Sequence, residues 1–157
     1  MVKKTNLEWR DCSEDLLRKR ISEEGLEFFR PDTLVFLEGE MGSGKTTLVR
    51  ILLEHLSPES RSQGSPTFPL VQTYRTPHGM PVYHMDLYRL RSADELTDSG
   101  IEDLIEEPGA LVLIEWASLF EHELSFYLEH ADRIRKRSVR ITISGDRPES
   151  RNYRIEA

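Results

Sequence analysis

Gly39-Glu40-Met41-Gly42-Ser43-Gly44-Lys45-Thr46 fits the pattern of glycine, any four residues, glycine, lysine, then serine or threonine. Its flanks give the match its meaning. Before it, Thr33 to Leu37 reads Thr-Leu-Val-Phe-Leu, a continuous β-forming run bounded by Pro31-Asp32 and Gly39, as expected of a strand buried on both faces. After it, Lys45 to Leu56 carries Leu48, Ile51, Leu52 and Leu56 at helical spacing and stops before Pro58. Strand, glycine loop and helix together make a phosphate cradle. The glycines let the backbone wrap, N–H groups point at phosphate oxygens, and the helix N-terminus adds partial positive charge. Lys45 is expected to reach the β- and γ-phosphates, Thr46 to place its hydroxyl on Mg²⁺, and Thr47 to donate to the α-phosphate. Glycines that merely shape a strand-turn-helix would not account for the Lys-Thr pair that follows them.

ATP is the expected nucleotide. Guanine-selective proteins of this type carry Asn-Lys-x-Asp, and here Asn6 and Asn152 are the asparagines, neither followed by lysine. Adenine contacts near Asp11 to Ser13 and near Arg133 to Arg137 both stay open, because no spacing singles one out.

Outward from the loop, Ser13 followed by Glu14 and Asp15 reads as an N-cap with acids in the first turn of a helix running to about Phe29. Ser57 to Pro66, rich in Ser, Pro and Gly, reads as one long loop between two halves of a fold. Phe68 to Tyr74 and Val82 to Asp86 flank Thr76-Pro77-His78-Gly79 as two antiparallel strands around a turn. Ser92 caps a short helix through Leu96. Ala110 to Ile114 is a second doubly buried strand, and Val139, Ile141 and Ile143 alternate with polar residues as a half-exposed strand does. The fold class is therefore α/β: a P-loop NTPase fold in three layers, its sheet mixed, parallel at the centre and antiparallel at one edge, with residues 1–157 as a single domain.

Composition bounds the function. The chain has 157 residues, with 21 lysines and arginines against 28 acids and a formal net charge of −7. A surplus of acid argues against broad electrostatic binding to nucleic acid, so RNA contact would need a local patch, for which Arg133-Ile134-Arg135-Lys136-Arg137 is the dense basic candidate. Ala110 to Ile114, the longest apolar run, falls far short of the roughly 20 residues of a membrane helix. Met1 to Asn6 leads into no apolar signal segment. A lone cysteine, Cys12, forms no internal disulfide. The expectation is a cytoplasmic protein without membrane contact.

A phosphate-loop enzyme needs a carboxylate at the end of a second strand for the metal and another polar group for the nucleophile. Glu115 follows Leu111-Val112-Leu113-Ile114, and Asp86 follows Val82-Tyr83-His84-Met85; either could instead cap the next turn. Thr67, on the loop after the phosphate-loop helix, stands where nucleotide switches sense the γ-phosphate, or is a plain loop threonine. His84, Tyr88 and Arg89 read as a polar cluster at the site or a packed strand end. Arg89 reads equally as an arginine finger or a solvated arginine, and Trp116 as a core or interface aromatic.

Four segments in order, Gly39-Glu-Met-Gly-Ser-Gly-Lys-Thr-Thr47, Ser65-Pro-Thr-Phe68 with Tyr74, His84-Met-Asp-Leu-Tyr-Arg-Leu90 and Ile114-Glu-Trp116, resemble the bacterial TsaE (YjeE) ATPases. They span about half the chain. The resemblance implies a role in making the threonylcarbamoyladenosine (t6A) modification of tRNA. By that resemblance Glu40, Met41, Gly42, Ser43, Gly44, Lys45, Thr46 and Thr47 bind ATP; Thr46 and Glu115 bind Mg²⁺; Asp86 is needed for hydrolysis; Thr67 lies in a switch-like loop; and Trp116 is a functional aromatic. It further implies docking on a TsaD–TsaB heterodimer whose TsaD subunit performs the transfer, so that tRNA is met through the complex. The reading from another class is a small-molecule P-loop kinase. That would need an acceptor pocket and an Arg-rich lid, whereas Ser57 to Pro66 carries only Arg61.

Overall fold

A computed structural model describes residues 6–59, 70–130, 137–145 and 147–157. In chain order the strands are β1 (Asn6–Cys12), β2 (Thr33–Glu38), β3 (Val71–Arg75), β4 (Pro81–Asp86), β5 (Leu111–Glu115), β6 (Arg137–Ser144) and β7 (Arg151–Glu156). The helices are α1 (Glu14–Arg20), α2 (Lys45–Leu56), α3 (Ala93–Asp98), α4 (Ile101–Glu106) and α5 (Glu121–His130). The strands form one seven-stranded sheet in the order β1-β7-β6-β2-β5-β4-β3.

The centre is parallel, β2 pairing with both β5 and β6, and β5 with β4. Antiparallel pairing occurs at both edges rather than one: β3 on β4, and β7 between β6 and β1. The extra antiparallel edge comes from β1 and β7, which the sequence pattern does not announce. Asn6–Cys12 buries only Trp9 and Cys12, and its pairing with β7 is broken by a register shift where Asp11 takes φ 49°. A bulged strand with two inward side chains has no period-two signature.

Alternation along the central strands splits the core into two faces. Val35, Leu37, Leu111 and Leu113 pack with α1 and α2 through Leu17, Leu48, Ile51 and Leu52. Leu34, Phe36, Val112 and Ile114 pack on the other face with Leu96, Ile101, Ile105 and Leu124. Helices thus cover both faces, which is why β2 from Leu34 to Leu37 and β5 from Leu111 to Ile114 are apolar throughout, as buried parallel strands are.

Local signals set the ends of these elements. Ser13 Oγ accepts from the Leu16 N–H at 3.2 Å, and α1 continues as a π turn (Ile21–Gly25) and a 3₁₀ turn (Leu26–Phe28), so helical structure reaches Phe28. Ser92 Oγ accepts from the Glu95 N–H at the start of α3, which runs two residues beyond the expected Leu96. At the hairpin the Gly79 N–H donates to the Thr76 carbonyl at 2.9 Å, with Gly79 at φ 87°. Of the Ser57–Pro66 loop, residues 57–59 are described; Ser57 Oγ donates to the Arg75 carbonyl at 2.6 Å and ties the end of α2 to β3. Phe68 lies outside the described residues. Among the described residues no helix is long and apolar enough to cross a membrane.

Candidate functional site

Parallel register brings the carboxyl ends of the central strands to one side, where open α/β sheets bind their ligands. Asp86 stands directly opposite Glu115, and Glu115 opposite Leu37. The Leu87 N–H donates to the Glu115 carbonyl at 3.1 Å, holding the two carboxylate-bearing strand ends together. Beyond Leu37 the chain turns through the glycine loop into α2.

Two glycines shape that loop by necessity. Gly39 has φ 152°, and a Cβ there would lie 2.5 Å from Ser43 Oγ and 2.7 Å from the Ile143 carbonyl oxygen. Gly44, at φ 105°, is the N-cap of α2 and brings no side-chain cap. The helix N-terminus therefore keeps its electrostatic preference for an anion. Gly39→Ala should cost about 2 kcal/mol or more of stability, since backbone strain and a clash with a carbonyl oxygen add. Denaturant unfolding without nucleotide measures this, and a variant as stable as the parent would contradict the close approach.

Lys45 is 5 % exposed, and its Nζ donates to the Gly39 carbonyl at 2.7 Å and the Glu40 carbonyl at 3.0 Å. It also lies 4.4 Å from the centroid of the Trp116 ring, a cation–π contact. Burial pushes the ammonium pKa down, while Glu115, Asp86 and Glu38 hold it up. Trp116 adopts φ 61°, the left-handed region, which turns its ring over Lys45 and against Tyr88 at 4.9 Å.

Glu115 is 2 % exposed and His84 0 %. A single oxygen, Glu115 Oε1, lies 2.7 Å from His84 Nε2 and accepts from Thr46 Oγ1 at 3.2 Å. Asp86 Oδ1 accepts from the Tyr88 N–H at 3.0 Å. Burial above all raises the Asp86 pKa; the Tyr88 N–H opposes this and the nearby Glu115 charge adds to it.

One cavity of about 480 Å³ is lined by Met41, Gly42, Gly44, Lys45, Thr46, Thr47, Asp86 and Glu115, together with Tyr88, Arg89 and Trp116. Glu40 joins through its carbonyl on Lys45, and Ser43 through the loop backbone. Arg89 is exposed there. Thr67 lies outside the described residues, as does the basic run Arg133–Arg137 apart from the backbone of Arg137 in β6. Asp11 and Ser13 line a separate cavity of about 450 Å³ with Arg147 to Ser150.

Among the described residues there is no group of three or more His, Cys, Asp or Glu side chains that could cage a metal. The oxygen donors present, one hydroxyl and one carboxylate converging at Thr46 and Glu115, suit Mg²⁺, which takes one or two protein carboxylates and completes its shell with phosphate and water. His84, which the sequence alone places in either a polar cluster or a packed strand end, is a buried partner of Glu115. Arg151, which grips the glycine loop from β7, is not marked by the sequence: Tyr153 and Ile155 alternate with polar residues as a strand does, but nothing local ties the strand's first residue to the loop.

Residues 10–152 match the family model "Threonylcarbamoyl adenosine biosynthesis protein TsaE". The tRNA threonylcarbamoyladenosine biosynthesis protein TsaE of Rickettsia bellii is 43% identical over 95 residues, covering 60% of this chain and 64% of the relative. The Bacillus subtilis protein of that description is 36% identical over 118 residues, covering 75% of this chain and 71% of its own. The matched part spans less than two thirds of the length of the Rickettsia bellii and Rickettsia felis relatives. The crystal structure of Bacillus subtilis YdiB is similar with a TM-score of 0.61 and 27% identity, covering 97% of this chain and 85% of that one.

Proposed function

The chain belongs to the TsaE family of tRNA threonylcarbamoyladenosine biosynthesis, and on that premise we propose that it is a P-loop ATPase that binds and hydrolyses ATP with Mg²⁺ and acts on a TsaD–TsaB complex without performing the transfer. The carrying observation is the convergence of Lys45, Thr46, Asp86 and Glu115 on one cavity at the uncapped N-terminus of α2. A cytoplasmic location, with tRNA met through the complex, goes with this reading.

The residues divide the work. Loop amides and the α2 N-terminus favour the phosphate chain, and Lys45, already desolvated, adds a charge whose field is little screened by water. Thr46 and Glu115 would hold Mg²⁺, which when bound neutralises charge developing on the phosphate oxygens. His84 fixes the orientation of Glu115 from behind. Asp86 presents a carboxylate at the cavity wall that can orient a water, and its raised proton affinity suits taking that water's proton. Thr67 completes the proposed set as the γ-phosphate sensor.

The test is Mg²⁺-dependent ATP hydrolysis by the purified protein, alone and with TsaD–TsaB, beside Glu115→Ala. Slow turnover alone, rising several-fold with the heterodimer and absent in the variant, is the expected result. Unstimulated turnover together with a phosphorylated metabolite would assign a small-molecule kinase instead.

A further inference from the structure

A loop that presents N–H groups to an anion must send carbonyls the other way, and those carbonyls need donors. For the Gly42 and Ser43 carbonyls that donor is Arg151, the first residue of β7, far from the glycine loop in sequence. Its Nε donates to the Ser43 carbonyl at 2.8 Å, and its Nη2 reaches the Gly42 carbonyl at 3.4 Å. The other arm of the guanidinium, Nη1, donates to the carbonyls of Arg147 at 2.7 Å and Ser150 at 2.8 Å. One planar group thus bridges the glycine loop and the turn that precedes β7. Room for its stem depends on Gly145, where a Cβ would lie 3.0 Å from Arg151 Cδ and 2.7 Å from the Ser150 oxygen.

Peptide geometry gives this bridge a direction. In a trans peptide the C=O and the following N–H point oppositely. Holding the Ser43 carbonyl therefore turns the Gly44 N–H away from Arg151, and Gly44 lines the cavity that also holds Lys45 and Thr46. We infer that Arg151 is a positioning residue for phosphate binding: from outside the loop it sets the Gly42 to Gly44 peptides and ties them to the turn formed by Arg147 to Ser150. The inference rests on the nucleotide reading of the cavity. It concerns geometry rather than charge, because a fork of fixed donors reaches both sides and a single ammonium does not.

The experiment measures metal-free ADP and ATP affinity by calorimetry, and steady-state hydrolysis, for the wild type and Lys45→Ala, Arg151→Ala, Arg151→Lys and Arg154→Ala, with unfolding midpoints taken without nucleotide. Arg154 is also on β7, but its guanidinium faces Glu8 at 3.9 Å, so its loss controls for net charge. Both Arg151 variants are expected to bind about tenfold more weakly, with KM raised and kcat within about twofold of wild type, while Arg154→Ala binds normally. Wild-type affinity in Arg151→Lys overturns the inference in favour of charge, as does an equal loss in Arg154→Ala. Wild-type affinity in Arg151→Ala overturns it outright. Loss of the fold in both Arg151 variants assigns the residue to stability and also overturns it. If Lys45→Ala loses affinity while the Arg151 variants keep it, this inference alone falls; if the wild type binds no nucleotide, the reading beneath it falls too.

Discussion

Lys45→Ala is expected to lower kcat/KM for ATP hydrolysis by about 10²–10³ and to weaken ATP binding, with the apo fold retained. The size follows from where the ammonium sits. At 5 % exposure its charge acts through little water, so its attraction for a phosphate chain exceeds that of a surface lysine. It is also preorganised: the Gly39 and Glu40 carbonyls and the Trp116 ring all contact Nζ. Retention of the fold follows from the same facts. Burial disfavours the charged form, as its lowered pKa records, so removing the ammonium relieves a desolvation cost while leaving two carbonyls without this donor. Calorimetric titration with ATP and an unfolding midpoint without nucleotide separate these effects. Unchanged affinity and turnover would remove the phosphate cradle from the account, whereas collapse of the midpoint would make Lys45 a structural residue.

How much of this could be read from sequence depends on whether each element carries its own period. β2 and α2 are legible because buried parallel strands are apolar throughout and because α2 puts Leu48, Ile51, Leu52 on one face. The loop between them needs no tertiary information, since glycine spacing and the Lys-Thr pair are local. β1 and β7 are the opposite case. In Arg151–Glu156 Tyr153 and Ile155 alternate with polar residues, but the partner strand is bulged, so the pairing of the two is a long-range fact. α5 is similar: Leu124 and Tyr127 are buried while Phe126 is half exposed, which blurs its apolar stripe. The site divides along the same line. Lys45, Thr46, Asp86 and Glu115 are legible as candidates because each sits at an element end that the sequence marks. The placement of His84 depends on register, which sets β4 beside β5, and that of Arg151 on a strand pairing that sequence does not show.

Glu115→Gln and Glu115→Ala should both reduce Mg²⁺-dependent hydrolysis by about 10²-fold or more while metal-free nucleotide affinity stays within a few-fold of wild type. In the proposed reading the carboxylate meets the metal beside Thr46, whereas the phosphates rest on the loop and Lys45, so the two variants test metal chemistry without dismantling the proposed cradle. They differ in what they do to His84. Glutamine keeps a side-chain oxygen near His84 Nε2; alanine leaves a fully buried ring nitrogen facing a void, at a cost of about 1–3 kcal/mol. Glu115→Ala should therefore unfold at a lower midpoint than Glu115→Gln, although their hydrolysis rates are equally low. That pattern, activity lost alike but stability lost unequally, separates a metal ligand from a buried structural carboxylate. If activity instead followed stability across the pair, with the glutamine variant retaining most turnover, Glu115 would be holding β4 to β5 and the metal would have to rest on Asp86.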